Sequence, residues 1–147
     1  MLKDETIHFS LSLLVGIIVG YLFDNYWAIP LALLGGFFID GDHLIDYFIH
    51  KKFRELNTRE FFKGEFFDDA GKVYVFLHGF EYVAILVVCG LIWPQIAWVF
   101  YSFALANFLH LLYDTLYNGA VWPTYFIVFR MYHNFSHKKF NFPKCQK

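Results

Sequence analysis

Four apolar runs, at 7–23, 27–39, 73–93 and 95–117, are set apart by brief polar breaks and one long polar segment. A helix needs roughly 20 residues to cross hydrocarbon, so the third and fourth runs are long enough to span, whereas the first two fall short. The first pair therefore reads as a tilted hairpin or as helices that continue beyond the hydrocarbon. The continuation Leu44-Ile45-Asp46-Tyr47-Phe48-Ile49 favours the latter. Asp24-Asn25 and Trp93-Pro94-Gln95 supply the turns, and Pro30 stands near the start of its run, where a helix tolerates it. A fifth apolar piece, 120–128, contains Pro123, is followed by Arg130 and is too short to cross alone; it is expected along the bundle or in the interface.

The long polar segment, 51–72, is too charged to be buried and too rich in Phe for a plain linker. Phe61-Phe62 and Phe66-Phe67, interleaved with Lys63 and Glu65, predict an amphipathic stretch that dips into the interface. Asp4 and Glu5 spoil the positive region a signal peptide would need, and no small-residue cleavage site follows, so the first run reads as a retained helix. The expected fold is all-α: one integral-membrane domain over 1–147, a bundle of four main transmembrane helices with an interfacial loop at 51–72 and an interfacial C-terminal segment at 119–147.

Composition agrees, since 58% hydrophobic and 23% aromatic content exceeds the roughly 45–50% apolar share of soluble domains. A net charge of -1 gives no field directed at nucleic acid. Cys89 lies in an apolar run and Cys145 in the tail, so no disulfide framework or thiol chemistry is expected.

The placement of charge says more than its sum. Lys3 precedes the first run; Lys51, Lys52, Arg54, Arg59, Lys63 and Lys72 lie between the second and third; Arg130, Lys138, Lys139, Lys144 and Lys147 follow the fourth. These make up the whole set of 12. With four crossings all three regions fall on one side, and the positive-inside rule makes that side the cytoplasm of a cell (inner) membrane.

The same map gathers the unusual polar residues at one end of the bundle. His8 starts the first helix; Asp40, Asp42 and His43 end the second; His78 and Glu81 open the third; His110 and Asp114 close the fourth. Carboxylates at a helix C-terminus meet the negative end of its dipole, which calls for a compensating cation. His78 with Glu81 at i, i+3 and His110 with Asp114 at i, i+4 each share a helical face, the presentation used by bundle-core metal sites. Asp40 and Asp42 stand about 200° apart on an ideal helix, so both can bind only if Gly41 bends or ends it; otherwise one of them orients a neighbouring His.

Imidazole with carboxylate and no thiolate in reach suits zinc, manganese or iron. Eight candidates, twice the four of a closed site, fit two ions, or one ion with acid-base groups around it, the layout that activates water for hydrolysis. Isolated histidines carry less: His50 reads as a solvated surface residue, and His133 with His137, also i, i+4, sits in a basic, aromatic stretch suited to anionic headgroups more than to a second metal site.

Ile7-His8-Phe9-Ser10, Ile39-Asp40-Gly41-Asp42-His43 and His110-x-x-x-Asp114 together resemble the membrane-bound metal-dependent hydrolase family, which includes a LexA-regulated inner-membrane member. The likeness runs through most of the chain to Asn118, and the Asp-x-Asp-His element is its most specific part. Ile39 stands where the family has Pro. The family's His-Arg-Gly-x-Thr-His segment here reads Leu77-His78-Gly79-Phe80-Glu81, so Glu81 stands in for a missing His. The His-x-x-x-Asp usage is also similar to that of zinc-dependent phospholipase C. The resemblance implies a hydrolase acting on a lipid or phosphoester.

The expected activity is thus metal-dependent hydrolysis at the cytoplasmic headgroup level, with membrane lipids as partners and no nucleic acid. Glu81 is a ligand or the general base, and Asp40 or Asp42 is the other candidate base. Two other classes compete: a metal or proton transporter, and a non-catalytic scaffold stabilised by metal. The transporter would need polar groups through the membrane depth, and the outer half offers little beyond Asp24. Reporter fusions test the topology: those at Asn25 and Gln95 should read as external and one at Asn57 as cytoplasmic, and an external signal at Asn57 would refute the four-crossing map.

Overall fold

The structure, a computed structural model, describes residues 2–51, 57, 61, 71–117 and 121–139. Most of the expected interfacial loop, and the last part of the C-terminal segment, lie outside the described residues. Four long or medium helices and two shorter ones carry the fold: α1 (Leu2–Leu22), α2 (Ala28–Gly36), α3 (Gly41–His50), α4 (Phe80–Ile92), α5 (Ala97–Tyr117) and α6 (Ile127–Tyr132). A 3-10 turn, Phe38–Asp40, joins α2 to α3. Among the described residues, extended pairing is confined to one isolated antiparallel bridge between Lys72 and Ser136.

Helical periodicity decides which face is buried. In α1, His8, Ser12, Val15, Gly16, Val19 and Gly20 are buried while Leu14, Ile17 and Ile18 are exposed, one continuous stripe turned inward. Helix α2 packs against both α1 and α5, α1 also meets α5, and α4 packs against α5. The outward residues are just as apolar: Ile85, Val88, Leu91 and Ile92 of α4 and Leu105 and Leu116 of α5 are exposed. So much contiguous exposed apolar surface is compatible with lipid and not with water.

Asp4–Leu22 and the continuous stretch Pro94–Tyr117 are each long and apolar enough to cross a membrane. Ala28–Gly36 with Phe38–His50 makes a third span if the pair, bent by 41°, is counted as one. Helix α4 has 13 residues, about 20 Å at 1.5 Å per residue, and is shorter than hydrocarbon requires. Two to three spanning helices therefore stand where the hydropathy pattern predicts four. The shortfall has a local cause. The third run does not become helical until Phe80, because Gly79 preceding it is extended (φ -135, ψ 124) and the residues before it form an irregular segment that carries His78.

Close helix approach rests on small residues. A Cβ on Gly16 would lie 2.5 Å from Ile29 Cα, and one on Gly35 2.9 Å from Phe103 Cα. A Cβ on Gly36 would overlap Ser12 Oγ and lie 3.0 Å from Ala106 Cβ, which makes Gly36 the point where α1, α2 and α5 close on one another. Gly41, expected to bend the second helix, is plainly helical at φ -59, ψ -20. The bend lies earlier, at Phe37 between Gly36 and the 3-10 turn. The two glycines should accordingly answer substitution with opposite signs. Gly36→Ala should lower the thermal stability of the detergent-solubilised protein by about 1–3 kcal/mol through overpacking. Gly41→Ala, whose Cβ meets nothing within 4 Å, should leave stability unchanged or raise it by about 0.5–1 kcal/mol.

Candidate metal centre

Five stretches deliver polar side chains to one end of the bundle. Helix α1 brings His8, the 3-10 turn brings Asp40, α3 brings Asp42 and His43, the segment ahead of α4 brings His78, and α5 brings His110 and Asp114. His8, Asp42, His78, His110 and Asp114 are buried.

At the centre, His78 Nε2 lies 3.1 Å from His110 Nε2. Asp40 Oδ1 lies 3.2 Å from His78 Nε2 and 3.5 Å from His110 Nε2. Asp114 Oδ2 is 3.3 Å from His110 Nε2 and 3.9 Å from His78 Nε2. Donor atoms about 2.0–2.1 Å from a tetrahedral ion stand roughly 3.3 Å apart, so Asp40, His78 and His110 have the spacing of part of one coordination shell, and Asp114 forms a second such group with His8 and the shared His110.

The outer nitrogens fix the tautomers. His110 Nδ1 is 2.6 Å from the carbonyl oxygen of Gly36 and can only donate to it. His78 Nδ1 lies 3.1 and 3.2 Å from the two oxygens of Asp42, whose Oδ2 also accepts the N–H of Leu77 at 2.8 Å. With both Nδ1 atoms donating, the two Nε2 atoms face each other at 3.1 Å and repel unless a proton or a metal cation lies between them. Asp114 is shared, its Oδ1 lying 3.3 Å from His8 Nε2, while the His8 ring stacks on His110 at 3.9 Å. The cluster is graded outward as well. Asp40 and His43, 3.4 Å apart at Oδ1 and Nε2, have side chains 19% and 27% exposed, so the cluster is open on their side.

Asp40 and Asp42 both engage His78, from opposite ring nitrogens, without the break at Gly41 that the sequence called for. Their roles differ: Asp40 faces the shared centre and Asp42 backs the ring. The structure places Glu81 elsewhere. Because the helix opens at Phe80, His78 and Glu81 do not share a helical face, and Glu81 Oε1 accepts the N–H of Val128 at 3.0 Å. Among the described residues it belongs to no His/Asp group able to hold an ion, nor do His133 and His137. His50 is not a plain surface residue, since its Nε2 lies 3.5 Å from buried Asp46 and its ring stacks on Tyr74.

Three contributors had no forecast. The Gly36 carbonyl is a backbone group with no residue signature. Asp46, one turn beyond Asp42 on the same helix face, accepts the Tyr74 N–H at 3.0 Å; its i, i+4 relation to Asp42 was the available signal. Arg130, read from sequence as an orienting surface charge, is wholly buried, and burial pushes its guanidinium below the usual range against the opposing pull of Asp42 and Glu81. Comparison with family models, curated proteins and solved structures finds no match.

The division of labour between the two aspartates is testable. Asp42→Asn keeps shape but can present its amide N–H₂ to the ring, upsetting the tautomer of His78, and should weaken zinc binding by about 10–100-fold, the usual cost of losing a group that orients a ligand. Asp40→Ala should abolish stoichiometric binding; equal affinities for the two variants in a metal-chelator competition would contradict the assignment.

Proposed function

We propose that this chain is an integral-membrane, metal-dependent hydrolase that crosses the cell membrane four times, with termini in the cytoplasm and its centre at the cytoplasmic headgroup level. The observation that carries the proposal is the pair of Nε2 atoms at 3.1 Å, each with its other ring nitrogen committed to a fixed acceptor. Asp40, His78 and His110 would hold the ion, with Asp114 beside His110, and the all-nitrogen-and-oxygen donor set suits zinc, with manganese or iron as the other fits. A divalent ion in such a site supplies a Lewis acid and lowers the pKa of bound water towards about 7.

The chain's own residues do the rest. His8 holds Asp114 from behind, and Asp42 and the Gly36 carbonyl hold the two imidazoles, so the donor set is preorganised at no further entropic cost. His43, at the solvent side and in contact with Asp40, is placed to accept a proton from an attacking water and return it to the leaving oxygen. A substrate arriving from the headgroup layer meets the open side first, which favours a lipid or lipid-like phosphoester or ester. The resemblance in Asp40-Gly41-Asp42-His43 and His110-x-x-x-Asp114 supports the same chemistry.

A transporter fits less well. Residues 82–109 contain no Asp, Glu, Lys, Arg or His, so α4 and most of α5 offer no ionisable relay toward the far side. A scaffold would need no open approach such as the Asp40 and His43 side provides.

Purified full-length protein should carry stoichiometric metal and gain thermal stability from added zinc or manganese, by about 2.7 kcal/mol at a hundredfold excess over Kd. His110→Ala should lose both, whereas His43→Ala should keep metal and lose roughly 10²–10⁴-fold in turnover on a responsive substrate from a lipid panel. Wild-type protein that is metal-free and gains no stability from either ion would overturn the proposal, leaving a proton on His78 as the cation of the cluster.

A further inference from the structure

We infer that Arg130 is a positioning residue for the metal centre: from α6 it grips the backbone of residues 74–78 and so fixes where His78 stands. The inference rests on the metal-centre reading above, and it concerns a residue outside the donor set.

The segment that carries His78 has no helix or sheet to satisfy its backbone, and buried backbone groups must find partners. It finds them in side chains from two other elements. On the donor side, the Tyr74 N–H goes to Asp46 Oδ2 at 3.0 Å and the Leu77 N–H to Asp42 Oδ2 at 2.8 Å, both from α3. On the acceptor side, Arg130 Nη1 donates to the carbonyls of Tyr74 at 2.5 Å and Val75 at 2.6 Å, and Nη2 donates to the carbonyl of His78 itself at 2.5 Å. Arg130 is 0% exposed. One planar guanidinium thus ties together both ends of a five-residue stretch.

Two features make this grip necessary. Val75 has φ +31, a left-handed conformation that a β-branched residue avoids unless its surroundings impose it. Its carbonyl is one of the three that Arg130 holds. The second is that nothing shorter or rounder would serve: Lys has a single ammonium without the fixed fork that reaches three carbonyls at once. Helix α6 is itself anchored by its Val128 N–H, which donates to Glu81 at 3.0 Å, and the turn after it by the Val73 N–H, which donates to the Phe135 carbonyl at 2.9 Å. Glu81 thereby gains a role other than ligand, as the seat of the helix from which Arg130 reaches in.

The test uses full-length protein in detergent, with Arg130→Lys and Arg130→Gln beside His78→Ala. Three readouts are needed: helical circular dichroism, zinc affinity by chelator competition, and the visible absorption of bound Co²⁺, which reports the donor set. Both Arg130 variants should keep wild-type helical content, bind zinc about 10–100-fold more weakly, and shift the Co²⁺ spectrum toward that of His78→Ala. Wild-type affinity and spectrum in both variants would overturn the positioning role while leaving the metal centre standing. Loss of helical content in both would make Arg130 a residue of the fold and overturn it too. Absence of metal binding in the wild type would remove the centre, and this inference with it.

Discussion

Two imidazoles whose Nε2 atoms meet at 3.1 Å in a buried, carboxylate-rich pocket are the constraint around which this bundle is arranged. Neither ring can turn away, because the Gly36 carbonyl holds one and Asp42 the other. The carboxylates that complete the cluster, Asp40, Asp42 and Asp114, have imidazoles as their ionic partners among the described residues. Removing such groups from water is costly unless a cation repays it. Close packing at Gly36 then acquires a second meaning. By letting α2 settle against α1 and α5 it places the Gly36 carbonyl on His110, so the tightest helix contact and the tautomer of a candidate ligand are one geometric fact.

What was legible in the sequence was what local periodicity governs. His110 and Asp114 share a face because α5 is an unbroken helix from Ala97 to Tyr117, and His8 falls on the buried stripe of α1 for the same reason. Asp40, Asp42 and His43 were legible as chemistry, although their route to a common centre was not. Gly41 invited a bend, whereas the chain bends at Phe37, directly after Gly35 and Gly36.

The errors share one origin, the segment 73–79. Its apolar content reads as the start of a spanning helix, and in a helix His78 and Glu81 would have faced the same way. Gly79 and the strained Val75 break that pattern, and with it go the full length of the third run's helix and the shared face of His78 and Glu81. Arg130 was invisible for a related reason. Its partners are three main-chain carbonyls distant in sequence, and no side-chain pattern encodes the carbonyls that an irregular segment turns toward a neighbour. Five basic residues follow the fourth run, and charge counting treats them alike although one of them never meets solvent.

An irregular segment at such a place has a physical logic. A helix presents side chains at 1.5 Å intervals and 100° steps, and α1 and α5 already place His8, His110 and Asp114 as those increments allow. The third donor must approach from between them, at a height and angle that a fourth parallel helix would reach only by chance. Unwinding the start of the third run frees His78 to take that position, at the cost of leaving main-chain groups unsatisfied in a poorly hydrated setting. Asp42 and Asp46 on one side and Arg130 on the other meet that cost, which is why two carboxylates and a guanidinium lie buried where none of them touches the central nitrogens directly. The polar shell around the centre is thus the consequence of a helix given up so that one imidazole could be aimed.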